Sequence, residues 1–121
     1  MDTKIWHKYF PGAITATDEN GTITYMNDAS RVREEMQVGY DLVGHNAITC
    51  HKEPTQTKVR QLYKDQVFNI YTIKKDGKKQ MVYMAPYFVD GEFKGITELV
   101  LDLPDEIPHF DRDAEKEKRA K

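Results

Sequence analysis

Short apolar runs alternate with turn residues along the chain, and their spacing predicts its elements. Ile5, Trp6, Tyr9 and Phe10 sit at helical spacing around Lys4, His7 and Lys8. They predict a short amphipathic helix, capped by Asp2 or Thr3 and broken by Pro11-Gly12. Ala13–Thr17 and Thr22–Met26 read as strands rich in Thr, Ile and Tyr, with Asn20-Gly21 between them. Asn-Gly is the strongest short hairpin signal, because both central turn residues need positive φ. Ala29–Met36 reads as a short helix capped by Asn27 or Asp28 and ended by Gly39. Gly39 to Lys52 is irregular. Pro54 opens a better helix, with Val59, Leu62 and Tyr63 at helical spacing. Val67–Lys74, Lys79–Phe88 and Phe93–Leu103 form an antiparallel meander turned by Asp76-Gly77 and Asp90-Gly91. Beyond Pro104 the pattern stops. Asp111–Lys121 is nearly all charged, a solvated helix or a frayed tail.

The order β-β-α-(short helices)-α-β-β-β predicts an α+β domain. Isolated two-stranded hairpins are marginal, so the opening hairpin must join the meander in one five-stranded antiparallel sheet. Short helices and one longer helix then cover one face. The expected division is an N-terminal helix over residues 1–11, a domain over 12–103 and a charged tail over 104–121.

Two-residue turns fix the register. Asp76-Gly77 pairs Thr72 with Met81 and Ile70 with Tyr83. Asp90-Gly91 would pair Ala85 with Ile96, Tyr83 with Glu98 and Met81 with Val100. Asn20-Gly21 would pair Ile23 with Asp18 and Tyr25 with Ala16. One sheet face then holds Phe68, Ile70, Thr72, Met81, Tyr83, Ala85, Ile96, Glu98 and Val100. The other holds Tyr71, Ile73, Val82, Met84, Phe88, Leu99 and Leu101. Both are apolar for a sheet with one side in water, so one lines the core and the other is an exposed patch or a dimer contact. The pattern alone does not choose between them.

Composition narrows the class. The 121 residues suffice for one core. A formal net charge of −2 gives no basic stripe for direct nucleic-acid binding. No run is apolar enough to span a membrane, and residues 1–10 lack a signal-peptide core. Cys50 is the single cysteine, which excludes an internal disulfide and fits a cytoplasmic, reducing location. No nucleophile elbow or phosphate loop is present, so no catalytic residue is assigned.

Several motifs in order resemble the PAS family. Asp18-Glu19-Asn20-Gly21 followed by Thr22–Met26 and Asn27-Asp28-Ala29 is similar to its opening hairpin. Gly39-Tyr40-Asp41-Leu42-Val43-Gly44 resembles its Gly-Tyr…Leu-x-Gly turn. Asp76-Gly77 and Gly91…Gly95 resemble its late hairpins, and Asp102-Leu103-Pro104 stands where many members have Asp-Ile-Thr. The resemblance covers Phe10 to Leu103. Cys50-His51 before Pro54 also resembles a subgroup with a Cys-His-Pro step, with Lys52 in place of that Pro.

The resemblance implies a non-enzymatic sensor with a small-molecule pocket. Last-strand residues in step with the family's aspartate tend to line that pocket, which carried onto Asp102 selects the Glu98 face. The implied ligand-binding set is Ile23, Tyr25, Phe68, Ile70, Thr72, Met81, Tyr83, Ile96 and Glu98, with His45, Cys50 and His51 from the irregular segment. The implied interface is Trp6, Phe10, Tyr71, Val82, Met84, Leu99 and Leu101, forming a homodimer or meeting a separate signalling protein.

Two other readings stand beside it. One is an interaction module whose core is filled. The other is a haem or redox sensor using His51, His45 or Cys50, since imidazole is the commonest metal ligand. Haem-binding members commonly carry an axial His on the long helix; Thr55–Lys64 has none, and His51 is the nearest substitute. The flavin motif Asn-Cys-Arg-Phe-Leu is absent, because Ala47 follows Asn46. The cofactor is therefore unassigned. Pro104 and Pro108 oppose a helix running straight out of the last strand.

Overall fold

The computed structural model describes residues 5–38 and 41–120. The expected caps Asp2 and Thr3 and the helix stop Gly39 lie outside the described residues. The elements are α1 (Trp6–Tyr9), β1 (Ala13–Thr17), β2 (Ile23–Met26), α2 (Asp28–Val38), α3 (Thr55–Asp65), β3 (Asn69–Lys75), β4 (Lys78–Val89), β5 (Glu92–Leu103) and α4 (Arg112–Ala120). The strands form one antiparallel sheet in the order β2-β1-β5-β4-β3. The opening hairpin thus joins the end of the meander and leaves β2 and β3 as edges. The fold is α+β, with helix α2 as long as α3, each 11 residues, in place of one longer helix. Among the described residues, no helix is long and apolar enough to cross a membrane.

The first turn is wider than Asn20-Gly21 alone predicts. Asp18 Oδ1 accepts from the Asn20 and Thr22 amides, both at 2.9 Å. Only Gly21, at φ +87°, takes the left-handed conformation there. Ile23 therefore pairs with Thr17 rather than Asp18, while Tyr25 pairs with Ala16 as expected.

The late hairpins differ from each other. Asp76 and Gly77 have φ of 53° and 77°, and Asp90 and Gly91 of 51° and 80°, the values a two-residue turn needs. The β3–β4 register follows, with Thr72 opposite Met81 and Ile70 opposite Tyr83. The β4–β5 register departs from expectation. Tyr87 faces Gly95 and Phe88 faces Phe93, so Lys94 is an extra residue in β5. Beyond that bulge Ala85 pairs with Thr97, Met84 with Glu98, Tyr83 with Leu99 and Met81 with Leu101. A one-residue slip therefore exchanges the two sets of β4 residues relative to β5: Val82 and Met84 share a face with Glu98, and Met81 and Tyr83 take the other.

The core lies on the face carrying Ala13, Val82 and Val100, which form one buried cluster with Ile73 and Met84 against it. Ile48, Tyr63 and Ile96 form a second, packed by Val59 and Leu62 of α3. Ile23, Met26 and Leu42 form a third.

Among the described residues Asn27 is the largest fully buried side chain, and it lies where α1, β1 and α2 meet. Its Nδ2 donates to the carbonyls of Gly12 at 2.8 Å and His7 at 3.0 Å. Its Oδ1 accepts from the amides of Ile14 at 2.9 Å and Ser30 at 3.0 Å. The Ser30 bond is the N-cap of α2. His7 Nδ1 also bonds the Tyr25 hydroxyl at 2.8 Å, and Lys8 pairs with Asp28 at 2.9 Å. At the other end, residues 112–120 form a helix, capped by Asp111 Oδ1 accepting from Ala114 N at 2.9 Å.

Candidate functional site

A cavity of ≈ 460 Å³ lies between the sheet and α3. Val82, Met84, Ile96 and Ile73 form its sheet wall, Val59 and Leu62 its helix wall, and Leu42 and Ala47 close it from the irregular segment. Glu98 and Arg33 bring opposite charges to the lining, and Thr15, Thr17, Tyr63, Asn69, Lys58 and Thr55 add further polar groups. This is the usual make-up of a small-molecule site, mostly apolar with a few convergent polar groups.

The polar groups are held by their neighbours. Tyr63 is buried, and its hydroxyl meets Thr17 Oγ1 at 2.6 Å. Burial pushes the Tyr63 phenol above its ordinary pKa, against the opposing pull of the Thr17 hydrogen bond. Tyr71 is also raised, by desolvation and then by the nearby Glu98 carboxylate, with Arg33 acting the other way. Tyr71 is therefore within electrostatic reach of both charged lining groups. Tyr87 OH donates to the Thr17 carbonyl at 3.0 Å, which further fixes Thr17.

Of the residues singled out from sequence for ligand binding, the structure places Ile23, Ile96, Glu98, Cys50 and His51 on the cavity. Phe68, Ile70, Thr72, Met81 and Tyr83 do not line it. The slip at Lys94 keeps Glu98 on the cavity side but pairs it with Met84, so the partners expected beside it face outward. Tyr25 is taken by His7. His45 is outside the lining, and its carbonyl accepts from the Ile23 amide at 2.8 Å. The same slip brings Tyr71, Val82 and Met84, expected at an interface, onto the cavity. Leu99 and Leu101 stay on the outer face with Tyr83 and Met81. Phe10 packs edge-on against Trp6, with ring centroids 5.9 Å apart.

Sequence reasoning passed over Arg33, Thr17, Tyr63 and Asn69. Tyr63 carried a signal, since helical spacing already put it beside Val59 and Leu62. Arg33 carried none, because which side of α2 faces the sheet depends on the cap at Asn27.

No protein-family model matches the sequence, and no curated protein matches it. Solved structures do match. The C-terminal domain of a Streptococcus mutans protein superposes with a TM-score of 0.67 at 23% identity, covering 83% of this chain and 81% of that one. The Aer2 receptor of Vibrio cholerae, a dual PAS-haem oxygen sensor, gives 0.58 at 20% identity, covering 77% of this chain and 95% of that one. The PAS domain of Bordetella pertussis BvgS gives 0.55 at 18% identity, covering 98% of this chain and 91% of that one. The chain has the PAS fold.

Proposed function

We propose that this is a sensory PAS-fold domain that binds a small, mainly apolar molecule in the cavity beneath its sheet. The observation that carries the reading is the ≈ 460 Å³ cavity, which falls in the range of ligand pockets and weighs against a filled core. Glu98 and Arg33 are its polar handles, and the ligand presents complementary hydrogen-bonding groups to them. The domain acts without catalysis, in the cytoplasm, and passes its state to a separate signalling protein or through its own dimer. The PAS domains among the similar structures belong to receptors and kinases, which supports a signalling role.

Native mass spectrometry of the purified protein tests the reading directly, followed by thermal-shift screening against a metabolite library. A retained mass or a saturable shift is expected. No retained mass and no shift with any compound overturns it.

One observation favours a haem reading: His51 and Cys50 both line the cavity. Among the described residues His51 is the imidazole there, and it sits in the exposed segment before α3. It would hold the iron of a haem, which supplies reversible binding of a diatomic gas. An absorption spectrum after haemin addition separates the two readings: a sharp Soret band that His51→Ala removes supports haem.

A further inference from the structure

The tip of the β3–β4 hairpin carries a charge arrangement that ligand binding does not explain. Residues 74–79 contain four lysines and one aspartate. Lys74 stands directly opposite Lys79, and Lys75 directly opposite Lys78. Like charges directly opposite on paired strands are destabilising. Among the described residues, no ion pair engages any of the four. A cleft of ≈ 390 Å³ lies against this tip, lined by Thr72, Ile73, Lys74, Gly77, Lys79 and Asp105.

The stripe continues along β3. Ile70, Thr72 and Lys74 alternate onto the outer face, and Ile70 is 48% exposed. Ile70 to Lys74 spans about 13 Å at strand rise. The face therefore runs from an apolar patch to a pair of unneutralised cations.

The chain carries a segment with the complementary pattern. Residues 105–113 hold Asp105, Glu106, Asp111 and Asp113 against the single Arg112, with Ile107 and Phe110 between them. Ile107 is 54% and Phe110 62% exposed. Asp105 already lies at the lip of its own cleft. The rest of the segment leaves that stripe uncovered, as the exposure of both apolar side chains shows. Asp105 to Phe110 reaches at most about 17 Å when extended, enough to cover a stripe of this length.

We propose that the acidic segment 105–113 of each copy docks on the Lys74/Lys79 hairpin stripe of a second copy, forming a two-fold, salt-sensitive homodimer. Both segments start beside their own hairpins, so two hairpins side by side at a dyad exchange them reciprocally. The carboxylates neutralise the opposed lysines, and Ile107 and Phe110 cover the patch at Ile70. The contact needs no occupant in the cavity, so it stands or falls apart from the ligand reading.

Charge reversal tests it. Sedimentation velocity of the full chain is expected to give a dimer at low salt that dissociates at high salt. One variant carries Lys74→Glu with Lys79→Glu, the other Asp105→Lys with Asp111→Lys. All four side chains are exposed, and circular dichroism checks that both variants fold. Each alone is expected to be monomeric, and an equimolar mixture to restore a dimer containing one of each. A strict monomer at all salts overturns the proposal, including one whose segment folds onto its own hairpin. So does a dimer that both reversals leave intact, or a mixture that stays monomeric.

Discussion

The backbone of Gly95 passes so close to Thr17 that no side chain fits between them. A Cβ at Gly95 would run into the Thr17 carbonyl oxygen and lie 2.8 Å from its carbonyl carbon. The residue also has φ +146°, a conformation that favours glycine. Gly95→Ala is expected to cost about 3 kcal/mol, read from urea unfolding. Gly91→Ala meets nothing within 4 Å and keeps only its positive-φ penalty, about 1 kcal/mol.

That close approach accounts for the main difference between the sequence reading and the structure. Strand positions, turn residues and sheet composition were legible, because period-two alternation and Asp-Gly turns are local signals. The β4–β5 register was not, because a turn fixes pairing only until a bulge interrupts it. The clue was Gly95 itself, a glycine inside a strand pattern, which marks a bulge or a close backbone approach. Taking Lys94 as the extra residue moves Val82 and Met84 inward and Tyr83 and Met81 outward. Glu98 keeps its side in both registers, since the slip alters its partner and not its place on β5. Arg33 depended on the orientation of a polar helix, which no periodicity in α2 declares.

Met84 and Tyr83 therefore separate the two registers by experiment. Met84→Phe narrows the cavity and is expected to abolish the stabilisation that a bound ligand supplies. That is about 2.7 kcal/mol at a hundredfold excess over Kd. Tyr83→Ala, on the outer face, is expected to leave the ligand-induced shift intact. Thermal melts with and without the compound found by screening check both.

Asn27→Ala is expected to cost about 3 kcal/mol in urea unfolding, because it strands the Gly12 carbonyl and the Ile14 and Ser30 amides without their partner. Asp28→Ala removes only an exposed ion pair with Lys8 and a first-turn charge, and its cost is expected to be under about 1 kcal/mol.

Stability is expected to fall at alkaline pH through Tyr63. Its folded-state pKa is raised above the ordinary 10.0, chiefly by burial, so the fold favours the neutral phenol. That contribution is complete below the ordinary value and is lost as pH rises through the folded-state value. Tyr63→Phe is expected to flatten this decline while costing about 1 kcal/mol near neutrality, from the lost bond to Thr17. Urea unfolding at several pH values between roughly 8 and 11 measures both effects.

The amide of Asn27 also has a mechanical meaning. One side chain holds the N-terminal turn at His7 and Gly12 and caps the first turn of α2 at Ser30. Lifting α1 away would strip the His7 carbonyl, and the adjoining Phe10 carbonyl, from Nδ2 and loosen the anchor that fixes where α2 begins. Arg33, six residues on and about 9 Å along that helix, is part of the cavity wall. Asn27 is thus the buried joint between the turn that holds α1 and the helix that carries Arg33 into the cavity wall.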